Sequence, residues 1–182
     1  NAEVTYSSDL PNQEHFTEDG LSAIQSINIF AKQELNLNQG WSMVSSYVLE
    51  NDLWMSSLLA PVNDDIVIMK DHHGGVYWPA FSFNQLGDLS DEKGYKLLMN
   101  QDRNISFSGR KIIPNEKVLN LEEGWQIIPY LREQPASIES VFEDLSQSIE
   151  IVKNDMGQVY WPQWSVNTIG NMIPGSAYQI KL

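Results

Sequence analysis

The chain has 182 residues, six of them tryptophan and none cysteine, so it can build a packed core but has no disulfides, thiolate catalysis or Cys-type zinc sites. Its formal charge of −13, with only eleven scattered basic residues, excludes a basic nucleic-acid surface and disfavours anionic membranes, while leaving divalent cations compatible. Its longest apolar runs, such as Ile66–Met69, are far too short to insert in a bilayer. The chain opens at Asn1 with neither an initiator methionine nor a leader, as a fragment or processed product would.

Residues 1–20 are polar and end in the turn signal Asp19-Gly20; Leu21–Phe30 then reads as a strand, with Ile27 and Ile29 two apart. Leu35 and Leu37 alternate with polar neighbours, Asn38-Gln39-Gly40 turns, and Trp41–Val48 predicts a second strand with Met43 and Tyr47 on one face. Asn51-Asp52 predicts an N-cap for a helix over Leu53–Leu59, which Pro61 stops. Ile66–Lys70 reads as a buried strand and Asp71–Gly75 as its hairpin turn. Val76–Trp78 returns, Pro79 limits the pairing, and Tyr95–Met99 is the last strand of this set. Ile105 and Phe107 alternate in a strand ended by Ser108-Gly109. Beyond Pro114, Pro135-Ala136-Ser137 opens a helix in which Ile138, Val141, Phe142 and Leu145 form one apolar stripe, with Glu139 and Glu143 solvated off it.

The order of these elements occurs twice. Val76-Tyr77-Trp78-Pro79 returns as Val159-Tyr160-Trp161-Pro162, Asn84-Gln85-Leu86-Gly87 as Asn167-Thr168-Ile169-Gly170, and Gly40-Trp41 as Gly124-Trp125. Trp41 and Trp125 are offset by 84 positions and Lys70 and Lys153 by 83, so one residue is lost in the helical segment or its loops. The expected fold is α+β: two pseudo-symmetric β-rich repeats, each a mostly antiparallel sheet covered by one short helix, packed as one unit. Residues 1–34 are a lead-in with one strand, 35–112 the first repeat and 113–182 the second.

The run Gly-Trp, a short helix, Val152-Lys153-Asn154-Asp155-x-Gly157-x-Val159-Tyr160-Trp161-Pro162, then Asn167-Thr168-Ile169-Gly170 and Tyr178-Gln179-Ile180-Lys181-Leu182 resembles paired modules of large secreted or cell-surface proteins of Bacteroidetes-type bacteria. The resemblance covers about residues 17–182 and is best in the second copy; the first departs from it at His72-His73 and Leu98-Met99. It implies an extracellular or cell-surface location, neighbouring adhesive, carbohydrate-active or sorting domains, and a non-catalytic accessory role.

Neighbouring strand residues face opposite sides, so one of Tyr77 and Trp78, and one of Tyr160 and Trp161, enters a core while the other is free to stack on a sugar or peptide. Trp164, whose counterpart is Phe81, is the extra aromatic beside the second hairpin. Gln163 and Asn167 bring amides that donate to and accept from sugar hydroxyls. The expected ligand site is therefore Tyr160, Trp161, Gln163, Trp164 and Asn167, with Tyr77 and Trp78 as the first-copy equivalents; the other reading folds Trp164 under the Asn167–Gly170 loop to close the core. Trp41 and Trp125 read as core residues held by a glycine turn. Asp71-His72-His73 reads as a solvated turn rather than a metal site, and Asn63-Asp64-Asp65 and Asp88–Glu92 as solvated loops that match no calcium motif. Lys70 and Lys153 are expected to pair with Asp71 and Asp155 or to guard an edge strand. No enzyme motif is present. The sequence thus favours a non-enzymatic extracellular module binding carbohydrate or another surface ligand, with a structural spacer as the alternative and no cofactor or metal.

Overall fold

The computed structural model describes residues 30–49 and 54–182. The strand expected at Leu21–Phe30, Phe30 excepted, and the capping pair Asn51-Asp52 lie outside the described residues. Strands β1 (Phe30–Leu37), β2 (Gly40–Val44) and β3 (Val48–Leu49) precede a single helical turn, α1 (Met55–Leu58). Then come β4 (Ile66–Lys70), β5 (Val76–Trp78), β6 (Phe83–Asn84), β7 (Tyr95–Met99) and β8 (Arg103–Lys111). After them follow β9 (Trp125–Pro129), β10 (Ala136–Ser137), α2 (Ile138–Val141), β11 (Ile151–Lys153), β12 (Val159–Trp161), β13 (Val166–Asn167), β14 (Asn171–Met172) and β15 (Ala177–Lys181).

The described chain is β-rich, with several antiparallel sheets and few, short helices. One five-stranded sheet runs β2-β7-β4-β5-β6, and another runs β9-β15-β11-β12-β13. A three-stranded sheet, β1-β8-β3, packs Leu37 and Ile105 into the core of the first, and a two-stranded ribbon joins β10 to β14. The strand beginning at Arg103 does not end at Ser108-Gly109. It continues to Lys111 because β1 pairs with it as far as Arg110, Ala31 opposite Gly109, and Val48 of β3 pairs with Lys111.

The segment Trp41–Val48 is not one strand. Gln33 is fully buried and accepts hydrogen bonds from the Ser46 hydroxyl and the Tyr47 amide while donating to the Ser45 carbonyl. These bonds stand in for a ladder at Ser45–Tyr47, so the chain bends there between β2 and β3.

Both expected helices shrink to one turn. The first ends at its C-cap Leu59, ahead of Pro61, which sits early in a 3-10 segment, Ala60–Asp65, where its missing N–H costs nothing. In α2 only the Phe142 amide reaches back to Ile138, and Phe142 itself has left helical geometry before a 3-10 turn at Glu143–Leu145. Ser, Asp and β-branched residues there offer the helix little intrinsic stability. Both turns nevertheless cover the inner faces of their sheets. Met55, Leu59 and Val62 meet Met69, Tyr77 and Leu97, whereas Ile138 and Phe142 meet Val152, Tyr160 and Ile180. The positions matched to Leu35–Leu37 in the second copy, Leu119–Leu121, form no strand.

Candidate functional site

In each of the two hairpins the tyrosine turns inward and the tryptophan outward. Tyr77 and Tyr160 are buried, Trp78 is exposed and Trp161 half-buried. Pairing continues from β5 to β6 and from β12 to β13 across a 3-10 turn, Pro79–Phe81 or Pro162–Trp164. Each turn ends on a serine in the left-handed region, Ser82 at φ 49° and Ser165 at φ 52°. A non-glycine residue held there is uncommon, and the strain is offset by the strand pairing on either side.

The turn at Pro162–Trp164 splits the residues singled out in the sequence into two groups. Tyr160, Gln163 and Asn167 line a cleft of about 350 Å³ together with Glu139, Ser146 and Gln147. Asn167 donates through its amide to Glu139 and accepts from the Gly170 amide, which fixes the loop and the carboxylate together. Burial raises the pKa of the Tyr160 phenol, and the nearby Glu139 carboxylate adds to the effect, so the hydroxyl keeps its proton. The Tyr77 hydroxyl, by contrast, donates to Asn63. Tyr160 makes no such bond to the described residues, so its hydroxyl is available at the cleft.

Trp164 and Trp161 lie outside this cleft. Trp164 is 71% exposed and does not fold under the Asn167–Gly170 loop. It packs edge-on against Trp161 at 6.2 Å between ring centroids, and Phe81 stands against Trp78 in the same way at 4.5 Å.

Trp41 and Trp125 are the residues the sequence misplaces. They are 50% and 42% exposed, because Gly40 and Gly124 at positive φ start their strands with the indole on the face away from the core. The lysines expected to meet Asp71 and Asp155 cover these rings instead. Lys70 Nζ stands 4.8 Å from the centre of Trp41 and Lys153 Nζ 4.7 Å from the centre of Trp125. No motif marks such a cation–aromatic pair, since the partners are far apart in sequence; only the strand register unites them.

The acidic and histidine-bearing loops are occupied by structural work. Asp71 accepts from the His73 and Gly75 amides and from Lys93. Asp65 accepts from Gln101 and Arg103, and Lys117 binds Asp91 and Glu92. Among the described residues no cluster of three or more histidine, aspartate or glutamate side chains could hold a metal. A second, smaller space of about 30 Å³ is lined by apolar side chains such as Leu37, Met55 and Leu97.

No helix among the described residues is long and apolar enough to cross a membrane. The chain matches no protein-family model, no curated protein and no solved structure.

Proposed function

We propose that the chain is an internally duplicated, non-catalytic module of an extracellular surface protein, and that it binds carbohydrate in the cleft beside its second hairpin. The observation that carries this reading is the cleft's lining. Gln163, Asn167, Gln147, Ser146, Ser165, Tyr160 and Glu139, all residues with polar side chains, line one concave space together with Pro162 and Val166. Groups that both donate and accept suit a ligand made of hydroxyls.

Duplication is supported by positions that match in sequence and meet in space. Lys96 bonds to Gln179 at 3.3 Å, Met43 packs with Ile127, and Gly94 lies against Ala177. Each of these pairs joins a residue to its own equivalent, as an approximate twofold axis between the halves requires. The two five-stranded sheets also run in the same order when their strands are matched by sequence.

A glycan array on the isolated chain, followed by calorimetry on the strongest hit, tests the function. Gln163→Ala is expected to weaken binding about ten-fold, the loss of one well-formed polar contact, with an unchanged melting temperature, whereas Asn167→Ala should weaken binding at least as much and also lower the melting temperature, because it removes the bonds to Glu139 and Gly170. A hit whose affinity ignores both changes moves the site elsewhere. An array without hits replaces this reading with that of a structural spacer.

A further inference from the structure

We infer that a second surface, on the faces of the two sheets that turn away from their cores, takes an acidic oligosaccharide. The inference rests on the carbohydrate reading above but concerns different residues.

The surface follows from strand register. Paired residues of antiparallel strands point to the same side. Lys70 is paired with Lys96 between β4 and β7, and Lys153 with Gln179 between β11 and β15. Lys96 Nζ donates to Gln179, joining the two lines across the boundary between the sheets. Lys70 covers Trp41 at one end and Lys153 covers Trp125 at the other. The result is one continuous row, Trp41–Lys70–Lys96–Gln179–Lys153–Trp125.

The charges in this row go against the rest of the molecule. Acidic residues outnumber basic ones 24 to 11, yet Lys70, Lys96 and Lys153 form no ion pair among the described residues. Lys70 and Lys96 stand opposite each other in register, one ammonium turned to Trp41 and the other to Gln179. Glu150 is bound to Lys181, and Asp155 accepts from the Met43 amide. An anion laid along the row would meet three ammonium groups that form no ion pair among the described residues.

The aromatic ends specify the rest of the ligand. Half-exposed indoles offer flat apolar area at small entropy cost, as the C–H face of a sugar ring requires. A ring stacked on Trp41 or Trp125 takes the place of the lysine that covers the indole and leaves its ammonium at the edge of the sugar. A carboxylate on the sugar then makes a charge-assisted contact. The remote acidic surface does not prevent this, because charges beyond about 8 Å are largely screened at physiological salt. A dense polyanion such as nucleic acid would still meet that surface along its length.

The test compares tetragalacturonate with its fully methyl-esterified form, which has the same rings but no charge. Titrations read by tryptophan fluorescence are expected to show the acidic form binding at least about ten-fold more tightly, with the difference shrinking as sodium chloride rises from about 50 to about 500 mM. Lys70→Gln with Lys153→Gln should abolish the preference, Lys70→Arg with Lys153→Arg should keep it, and Lys111→Gln, which removes a basic group outside the row, should leave it unchanged. Equal binding of the two forms, or a preference that survives the double glutamine change, overturns the inference. Neutral glycans held by the cleft with no acidic preference would overturn this inference alone, whereas the absence of binding to any glycan would overturn both.

Discussion

At the first hairpin one carboxylate does what an amide does at the second. Asp71 accepts from the His73 and Gly75 amides, and Asn154 accepts from those of Met156 and Gln158. Asp71 adds an ion pair with Lys93 at 2.9 Å. Burial works to raise the Asp71 pKa, but the Lys93 ammonium and the two amides outweigh it and hold the carboxyl below its ordinary range. A carboxylate depressed in the folded state stabilises above its unfolded pKa of about 3.9 and loses that contribution as pH falls through the folded value. Asp71→Asn keeps the turn bonds and gives up the ion pair. It is expected to cost about 1 kcal/mol at pH 7, with the gap to wild type closing as the pH drops below about 4. Urea unfolding at pH 7 and pH 3 measures this; a gap of equal size at both would show that the charge is irrelevant.

At the scale of elements, the period-two signal decides which side chains are buried. Tyr160 is in the second core and Trp161 is half-buried on the opposite face, so their truncations should differ. Tyr160→Ala is expected to cost about 3–5 kcal/mol and Trp161→Ala about 1–2 kcal/mol, because one flank of the indole already meets solvent. The reverse order in urea unfolding would mean that the outer face is the tighter packed. The apolar run Ile66–Met69, the hairpin turn after it and the Lys93-Gly94 lead-in made β4, β5 and β7 legible, with bounds identical to those read from the residues. Local pattern failed where long-range partners decide. The apolar stripe Ile138–Leu145 has a helical period, but capping and propensity sustain only one turn of it. Gly-Trp reads as a core signal by composition, whereas the register of β2 and β9 turns both indoles outward. Tyr160, Gln163 and Asn167 could be singled out because they cluster in sequence. Glu139, Ser146 and Gln147 could not, since the fold alone brings them to the cleft.

Across the whole molecule, the two five-stranded sheets meet through few side chains and several backbone contacts. The Ser45 amide donates to the Gly175 carbonyl and the Gly94 amide to the Ile127 carbonyl, with the Ser45 hydroxyl bridging Ser176 and Tyr130. Such an approach needs a residue without a side chain, and Gly94 supplies it. A methyl group there would stand 2.5 Å from Ala177 Cβ, 2.7 Å from Ile127 Cγ2 and 2.8 Å from the Ile128 carbonyl oxygen. Two of those neighbours are a backbone atom and a Cβ, which cannot rotate away, so the sheets must separate. Gly94→Ala is therefore expected to cost about 3 kcal/mol, the upper range for overpacking. Gly157→Ala is the control for backbone strain alone: its methyl meets open space at φ +79°, and about 1 kcal/mol is expected. Adding Ala177→Gly to Gly94→Ala removes the shortest contact but not those to Ile127 and Ile128. The double variant should recover part of the loss, with a coupling of at least about 0.5 kcal/mol. Strictly additive costs in chemical denaturation would mean that Gly94 and Ala177 do not press on each other, and that the sheets are held apart by some other contact.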